Sequence, residues 1–373
     1  MDDLARVRMA EMLHHRKAGL GLGDPVVPSI SLSTTFHLPQ ANGAAHYYGR
    51  SGQPMWDEVE AQLGILEDAE VVTFPSGMAA ISAALIVTLK AGAKVMIPSD
   101  GYYVTRLLAR DMLAVYGVDV IEVPTLEMAE ADFTGFSVIY IETPSNPGLD
   151  VIDIAALCTR AKAEGARVIA DNTTLTGMLQ RPLDLGADLV VAADTKAPAG
   201  HSDALFGHVS GRNPAVMARI REWRRQAGAV PGPFEADLLH RGLETLEIRL
   251  ERMCASAQVV AERLAAFAGV RGVRYPGLPG DPAHRISRAQ TSGFGFLIGF
   301  ELGGETQAEA FLAACPYIAQ ATSFGSTHTA AERRARWGDA VAPGFIRLSI
   351  GIEPTEVLWQ AIEEALNEVG VGG

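Results

Sequence analysis

Between residues 60 and 230, short apolar runs alternate with segments whose apolar residues recur at helical spacing, and this alternation limits the chain more than any other feature. The runs at 71–74, 95–97, 118–123, 138–141, 168–170 and 189–192 are mostly β-branched and mostly bounded by Gly, Pro or acidic residues, as strands are. The segments at 79–89, 105–115 and 154–163 have the periodicity of helices. Regular alternation of the two predicts an α/β domain with a mostly parallel sheet flanked by helices. After residue 236 the pattern changes to one long helix-like run at 238–267, then apolar runs at 270–275, 294–301 and 346–352, which predicts a smaller α+β domain. The first 45 residues hold one amphipathic helix and an extended stretch at 25–39. An arm with so little core of its own is expected to lie on something else, often a second subunit. The expected organisation is an arm at 1–45, a large domain at 46–236 and a C-terminal domain at 237–373.

Acidic residues outnumber basic ones by 44 to 31 and no basic stretch stands out, so neither nucleic acid nor a membrane surface is expected as a partner. The charged stretch from Arg6 to Lys17 lacks the apolar core and cleavage site of a secretion signal, which predicts a cytoplasmic protein. The longest apolar stretch, 78–89, falls well short of the roughly 20 residues of a membrane span. Cys158, Cys254 and Cys315 lie far apart with no Cys-x-x-Cys, so neither a disulfide framework nor a metal site is expected.

Lysine is the informative residue type, because only five of the 31 basic residues are lysines. Lys17, Lys90, Lys94 and Lys162 occupy polar helix faces or turns, where a solvated ammonium is the default. Lys196 instead closely follows the strand at 189–192, at the sheet edge where open parallel sheets bind ligands. A pocket of low charge there would lower the pKa of an amine and make it nucleophilic. A second strand ends at Asp171, which brings a carboxylate to the same edge. Ser76-Gly77-Met78 opens a helix after another strand and offers backbone N–H groups as a phosphate cradle. An amine for a Schiff base, a carboxylate for a pyridine nitrogen and a phosphate cradle together match the needs of pyridoxal 5'-phosphate (PLP).

The sequence also resembles the Cys/Met-metabolism family of PLP-dependent enzymes, the group of cystathionine γ-lyase, cystathionine β-lyase, cystathionine γ-synthase and methionine γ-lyase. The resemblance runs over nearly the whole chain. It is carried by Tyr48-Gly49-Arg50-Ser51-Gly52-Gln53-Pro54, Phe74-Pro75-Ser76-Gly77-Met78, Glu142-Thr143-Pro144-Ser145-Asn146-Pro147, Asp171-Asn172-Thr173, Thr195-Lys196, Gly200-His201-Ser202-Asp203, Ser323-Phe324-Gly325 and Arg347-Leu348-Ser349. It implies the PLP-dependent transferase fold (fold type I), with a large domain built on a mostly parallel sheet and a smaller α+β C-terminal domain. It further implies that Lys196 binds PLP covalently and then moves the substrate α-proton, that Asp171 pairs with the pyridine nitrogen, and that Tyr102 stacks on the ring and takes a proton. Gly77, Met78 and Thr195 would hold the phosphate, joined by Tyr48 and Arg50 from a neighbouring subunit. Arg347 would clamp the substrate carboxylate, with Asn146 and Ser323 lining the same pocket. The activity so implied is carbon–sulfur bond cleavage in a sulfur amino acid, with γ-elimination of cystathionine ahead of β-elimination or γ-replacement, in a homo-oligomer built as a dimer of dimers.

Three departures from the family pattern stand out. The usual Ser-x-Thr-Lys reads Ala193-Asp194-Thr195-Lys196, the usual Tyr-Gly-Gly-Thr reads Tyr102-Tyr103-Val104-Thr105, and after Ser326 the chain runs straight into Thr327-His328-Thr329 without a Gly-Gly-x-Glu segment. These leave room for a PLP-binding regulatory protein as the non-enzyme alternative. Other readings are structural. Arg347 could be a buried arginine paired with Glu353, and His201 and His328 satisfied structural histidines.

Overall fold

The computed structural model describes residues 1–40 and 43–371. Seven strands form the larger sheet: β1 (Glu70–Phe74), β2 (Lys94–Pro98), β3 (Asp119–Val123), β4 (Val138–Glu142), β5 (Arg167–Asp171), β6 (Leu189–Ala192) and β7 (Gly207–Gly211). Their spatial order is β1-β7-β6-β5-β4-β2-β3, with β7 antiparallel to both neighbours and the other paired strands parallel. The six runs expected to be strands are strands. Val138 to Ile141 are all fully buried because helices cover both faces of the sheet. One face packs on the helices Gly77–Thr88 and Pro214–Ala227, the other on Ile154–Ala163.

The strand β7 gave no apolar signal, since Gly207-His208-Val209-Ser210-Gly211 carries one large apolar residue. Packing explains its composition. A Cβ on Gly207 would stand 2.6 Å from Gly77 N, and one on Gly211 would stand 2.7 Å from the Leu189 side chain. The expected helix at 105–115 begins at Tyr103, passes through a π turn at Ala109–Leu113 and ends in a 3-10 turn at Ala114–Tyr116.

The smaller sheet contains β8 (Arg271–Arg274), β9 (Leu297–Glu301), β10 (Ala319–Gln320), β11 (Ala330–Arg333) and β12 (Phe345–Ser349), in the order β10-β11-β12-β9-β8. The long run expected at 238–267 is two helices, Pro233–Leu243 and Leu246–Ala266. Arg249 accounts for the break. Its guanidinium donates to the carbonyl of Gly242 at 2.6 Å and so satisfies a terminal acceptor of the first helix. At the N-terminus, the helix Asp3–His14 is capped by the Asp2 side chain, and residues 25–39 contain no strand. Val26, Val27 and Leu32 of this stretch are all more than half exposed. Among the described residues no helix is long and apolar enough to cross a membrane, and no cluster of potential metal ligands occurs.

Candidate active site

The parallel strands deliver their C-terminal ends to one edge of the large sheet, and a cavity of about 350 Å³ lies there. Asp171 ends β5, Glu142 ends β4 in register with it, and the Ala193 to Lys196 turn leaves β6. Gly77, Met78, Tyr102, Asn146, Asp171, Thr195, Lys196, Ser323 and Arg347 all line this cavity. The structure therefore brings together nine of the eleven residues singled out from the sequence. It does not bring Tyr48 and Arg50 to it. Arg50 donates to the Arg225 carbonyl at 2.8 Å and lies over the Tyr48 ring at 5.6 Å, while Tyr48 bridges to Thr35.

The Lys196 ammonium is 2.5 Å from Ser323 Oγ and 4.9 Å from the Phe324 ring centre. Burial lowers its pKa to about 8, and the Arg347 guanidinium acts in the same direction. An amine so placed is a mixture of charged and neutral forms near neutral pH, which suits nucleophilic attack and proton transfer. Asp171 is buried, accepts from Tyr140 Oη at 2.9 Å and from Thr173 N at 3.0 Å, and has its pKa raised by burial. Glu142 accepts from Tyr102 N at 2.7 Å. Burial, reinforced by the Asp171 carboxylate, pushes Glu142 up to about 8. Two carboxylates in register on neighbouring strands oppose each other's ionisation, so burial and mutual repulsion raise the proton affinity of the pair. The Tyr102 ring meets Tyr103 edge-on at 5.6 Å, and burial raises its pKa.

Arg347 on β12 is almost fully buried. It donates to Asn146 Oδ1 at 2.6 Å, to the Ser323 carbonyl at 3.0 Å and to Glu332 Oε1 at 2.5 Å. Burial, with Arg334 beside it, lowers its pKa to about 10. Its carboxylate partner is Glu332 on β11, not Glu353. Glu353 instead accepts from Thr329 N and Thr329 Oγ1, both at 2.7 Å. Glu332 also takes Arg334 Nη1 at 2.5 Å and Trp337 Nε1 at 2.8 Å, and Arg334 and Trp337 line the cavity. Glu332, Arg334, Trp337, Tyr140 and the role of Glu142 were not legible in the sequence. Only the position of Glu142 at a strand end beside Asp171 offered a signal. His201 has a structural partner, since its ring hydrogen-bonds the Ala199 carbonyl at 2.7 Å.

The helix Gly77–Thr88 starts at the cavity, and Ser76 caps it by accepting from Ala79 N at 3.1 Å. Its first N–H groups have no intrahelical partners and carry the positive end of the helix dipole. A Cβ on Gly77 would stand 2.5 Å from Ala193 Cβ, so this floor admits only glycine at 77. Ala193 itself donates its N–H to Thr173 Oγ1 at 2.9 Å. The Thr195 hydroxyl donates to the Phe206 carbonyl at 3.1 Å and accepts from Phe206 N at 3.0 Å. Tyr103, bulky where the family pattern is small, lines the cavity beside Tyr102. A phosphate cradle, an aromatic ring, a buried carboxylate and a desolvated lysine together fit PLP.

Comparison with known proteins agrees. The chain is 44% identical over 352 residues to a protein from Streptomyces coelicolor named "Putative cystathionine gamma-lyase", covering 92% of this chain and 90% of the relative. It is 35% identical over 382 residues to an L-methionine gamma-lyase from Pseudomonas putida, covering 95% and 96% of the two chains. The structure matches a cystathionine gamma synthase from Xanthomonas oryzae pv. oryzae, solved in complex with cystathionine, with a TM-score of 0.93 and 32% identity over 97% of this chain and 98% of the other. Residues 12–367 match the model of the Cys/Met metabolism PLP-dependent enzymes, and the chain belongs to that family.

Proposed function

We propose that the protein is a PLP-dependent carbon–sulfur lyase that acts on cystathionine by γ-elimination. The 44% identity to the relative named "Putative cystathionine gamma-lyase" supports the choice of γ-elimination, and one observation carries the amino-acid site: Ser323 joins the two groups such a substrate needs, with its hydroxyl 2.5 Å from Lys196 Nζ and its carbonyl 3.0 Å from Arg347 Nη2. A substrate carboxylate held by the Arg347 guanidinium places its α-carbon near the lysine amine. When bound, PLP supplies the electron sink for charge developing at that carbon. Lys196, with its pKa near 8, accepts the α-proton and returns it further along the substrate chain. Asp171 would hold the pyridine nitrogen, and the N–H groups of Gly77 and Met78, with Thr195, the phosphate. Tyr102 would stack on the ring, and Asn146 fixes the Arg347 fork.

Incubation of the holoenzyme with L-cystathionine and identification of the keto acid by mass spectrometry tests the reading. 2-Oxobutyrate is expected. Pyruvate would replace it with β-elimination, and absence of both would move it to γ-replacement on an activated homoserine ester.

The same reading includes a cytoplasmic homo-oligomer, a dimer of dimers, whose Tyr48 and Arg50 complete a neighbour's phosphate site. The exposed apolar side chains of the 25–39 stretch and the position of Arg50 away from its own cavity support it. Mixing inactive Arg50→Ala and Lys196→Ala subunits would restore activity in hybrid sites; no recovery in a proven mixed oligomer would refute sharing. The two sheets, one between residues 70 and 211 and the other between 271 and 349, support a division into 1–45, 46–236 and 237–373.

A further inference from the structure

The turn that carries Lys196 is held from beneath by charges that do not line the cavity. Asp194 is completely buried, and among the described residues its carboxylate takes side-chain hydrogen bonds from His208 Nδ1 alone, at 2.9 and 3.0 Å. His208 lies on β7 opposite Ala192, and its other ring nitrogen faces Glu67 Oε1 at 3.8 Å without a hydrogen bond. A carboxylate so deep is costly unless a cation neutralises it. Burial works against the charged imidazole, but Asp194 and Glu67 outweigh it and push its pKa up to about 9. Either residue alone would be an uncompensated buried polar group.

The pair ties the turn to β7 at a second point beside Thr195, whose N–H also donates to the Phe206 carbonyl at 3.2 Å. On the far side of Lys196, Arg249 donates to the Ala197 carbonyl at 2.6 Å and to the Pro198 carbonyl at 3.1 Å. β7 also sets the height of the phosphate floor, because Gly207 backs directly onto Gly77. Any slip of the turn along β7 would move Lys196 and the cradle relative to each other.

The geometry points to Asp194 and His208 as positioning residues that lock the Lys196 turn to β7 and so hold the amine and the phosphate cradle in register. This rests on the reading of the cavity as the PLP site. The test is the double variant Asp194→Ala/His208→Leu, since replacing a buried ion pair with apolar groups is often neutral for stability. Thermal unfolding, PLP titration by absorbance and backbone hydrogen exchange of the cofactor-free protein are compared with the parent. The expected result is a melting temperature within a few degrees of the parent, a PLP dissociation constant raised about tenfold or more, and faster exchange at 193–200. A double variant with parental PLP affinity and parental exchange overturns the proposal. If the parent itself fails to bind PLP, the cofactor reading falls, while the exchange comparison still decides on the lock. Should the double variant not fold, nitrogen-15 histidine spectra of the parent decide. A His208 ring protonated at Nδ1, the nitrogen that faces Asp194, supports the lock, and a ring with Nδ1 unprotonated refutes it.

Discussion

Glu332→Gln tests what holds the buried Arg347 guanidinium in place. Three donors converge on this one buried side chain: Arg347 Nη2 and Arg334 Nη1 share Oε1 at 2.5 Å each, and Trp337 Nε1 reaches Oε2 at 2.8 Å. A glutamine has one acceptor oxygen. Turned toward the guanidiniums, it presents an N–H group to the indole N–H, and turned the other way it presents that group to two cations. The first pose leaves the donor of a half-exposed indole unmet, the second sets an N–H group against two buried guanidiniums, and both remove the negative charge between the arginines. Breaking a buried pair by neutralising one partner costs roughly 3–5 kcal/mol. Arg347 keeps Asn146 and the Ser323 carbonyl, and Arg334 keeps Asp339 at 2.7 Å, which places the loss at about 3 kcal/mol, the lower end of that range. Urea unfolding of the cofactor-free protein, with the midpoint and slope fitted for parent and variant, measures it. A drop in midpoint at constant slope is expected. A variant as stable as the parent would refute the argument that the two arginines depend on this carboxylate.

Lys196 makes a cofactor-free prediction of its own. The pH dependence of its acylation, followed by mass spectrometry, should have a midpoint near 8, against about 10.4 for a solvated lysine. The midpoint should fall further in Glu332→Gln, because Glu332 is one of the charges that hold it up; a midpoint above 10 in the parent would show the amine to be solvated. Gly77→Ala should weaken PLP binding about tenfold or more, since the new methyl would stand 2.5 Å from Ala193 Cβ. Adding Ala193→Gly should recover part of that loss in the same titration, and a Gly77→Ala protein with parental affinity would contradict the close approach.

The large sheet was legible wherever strand burial is written in β-branched residues, as at β4, where every position from Val138 to Ile141 is buried. It was illegible at β7, where the demand on the sequence is absence of bulk against Gly77 rather than presence of apolar area. The site divides along similar lines. Lys196 and Asp171 stood out because a strand end locates a residue from local pattern alone, and Ser76-Gly77-Met78 because a strand followed by a small-residue turn and a helix is also local. Glu332 and Arg334 could not be found that way. Their role depends on β11 pairing with β12, which sets Glu332 opposite Arg347 across a non-local register. The partner of Arg347 shows the difference. Glu353 is nearer in sequence, but the antiparallel pairing brings Glu332 to the guanidinium and leaves Glu353 to hold Thr329. Asp194 is a further case, since its acid was visible as a departure beside the lysine, while His208, which makes it tolerable, lies on the strand that left no pattern. In this chain a charged residue could be located from its neighbours in sequence, but its partner, and hence its chemistry, was fixed by strand register.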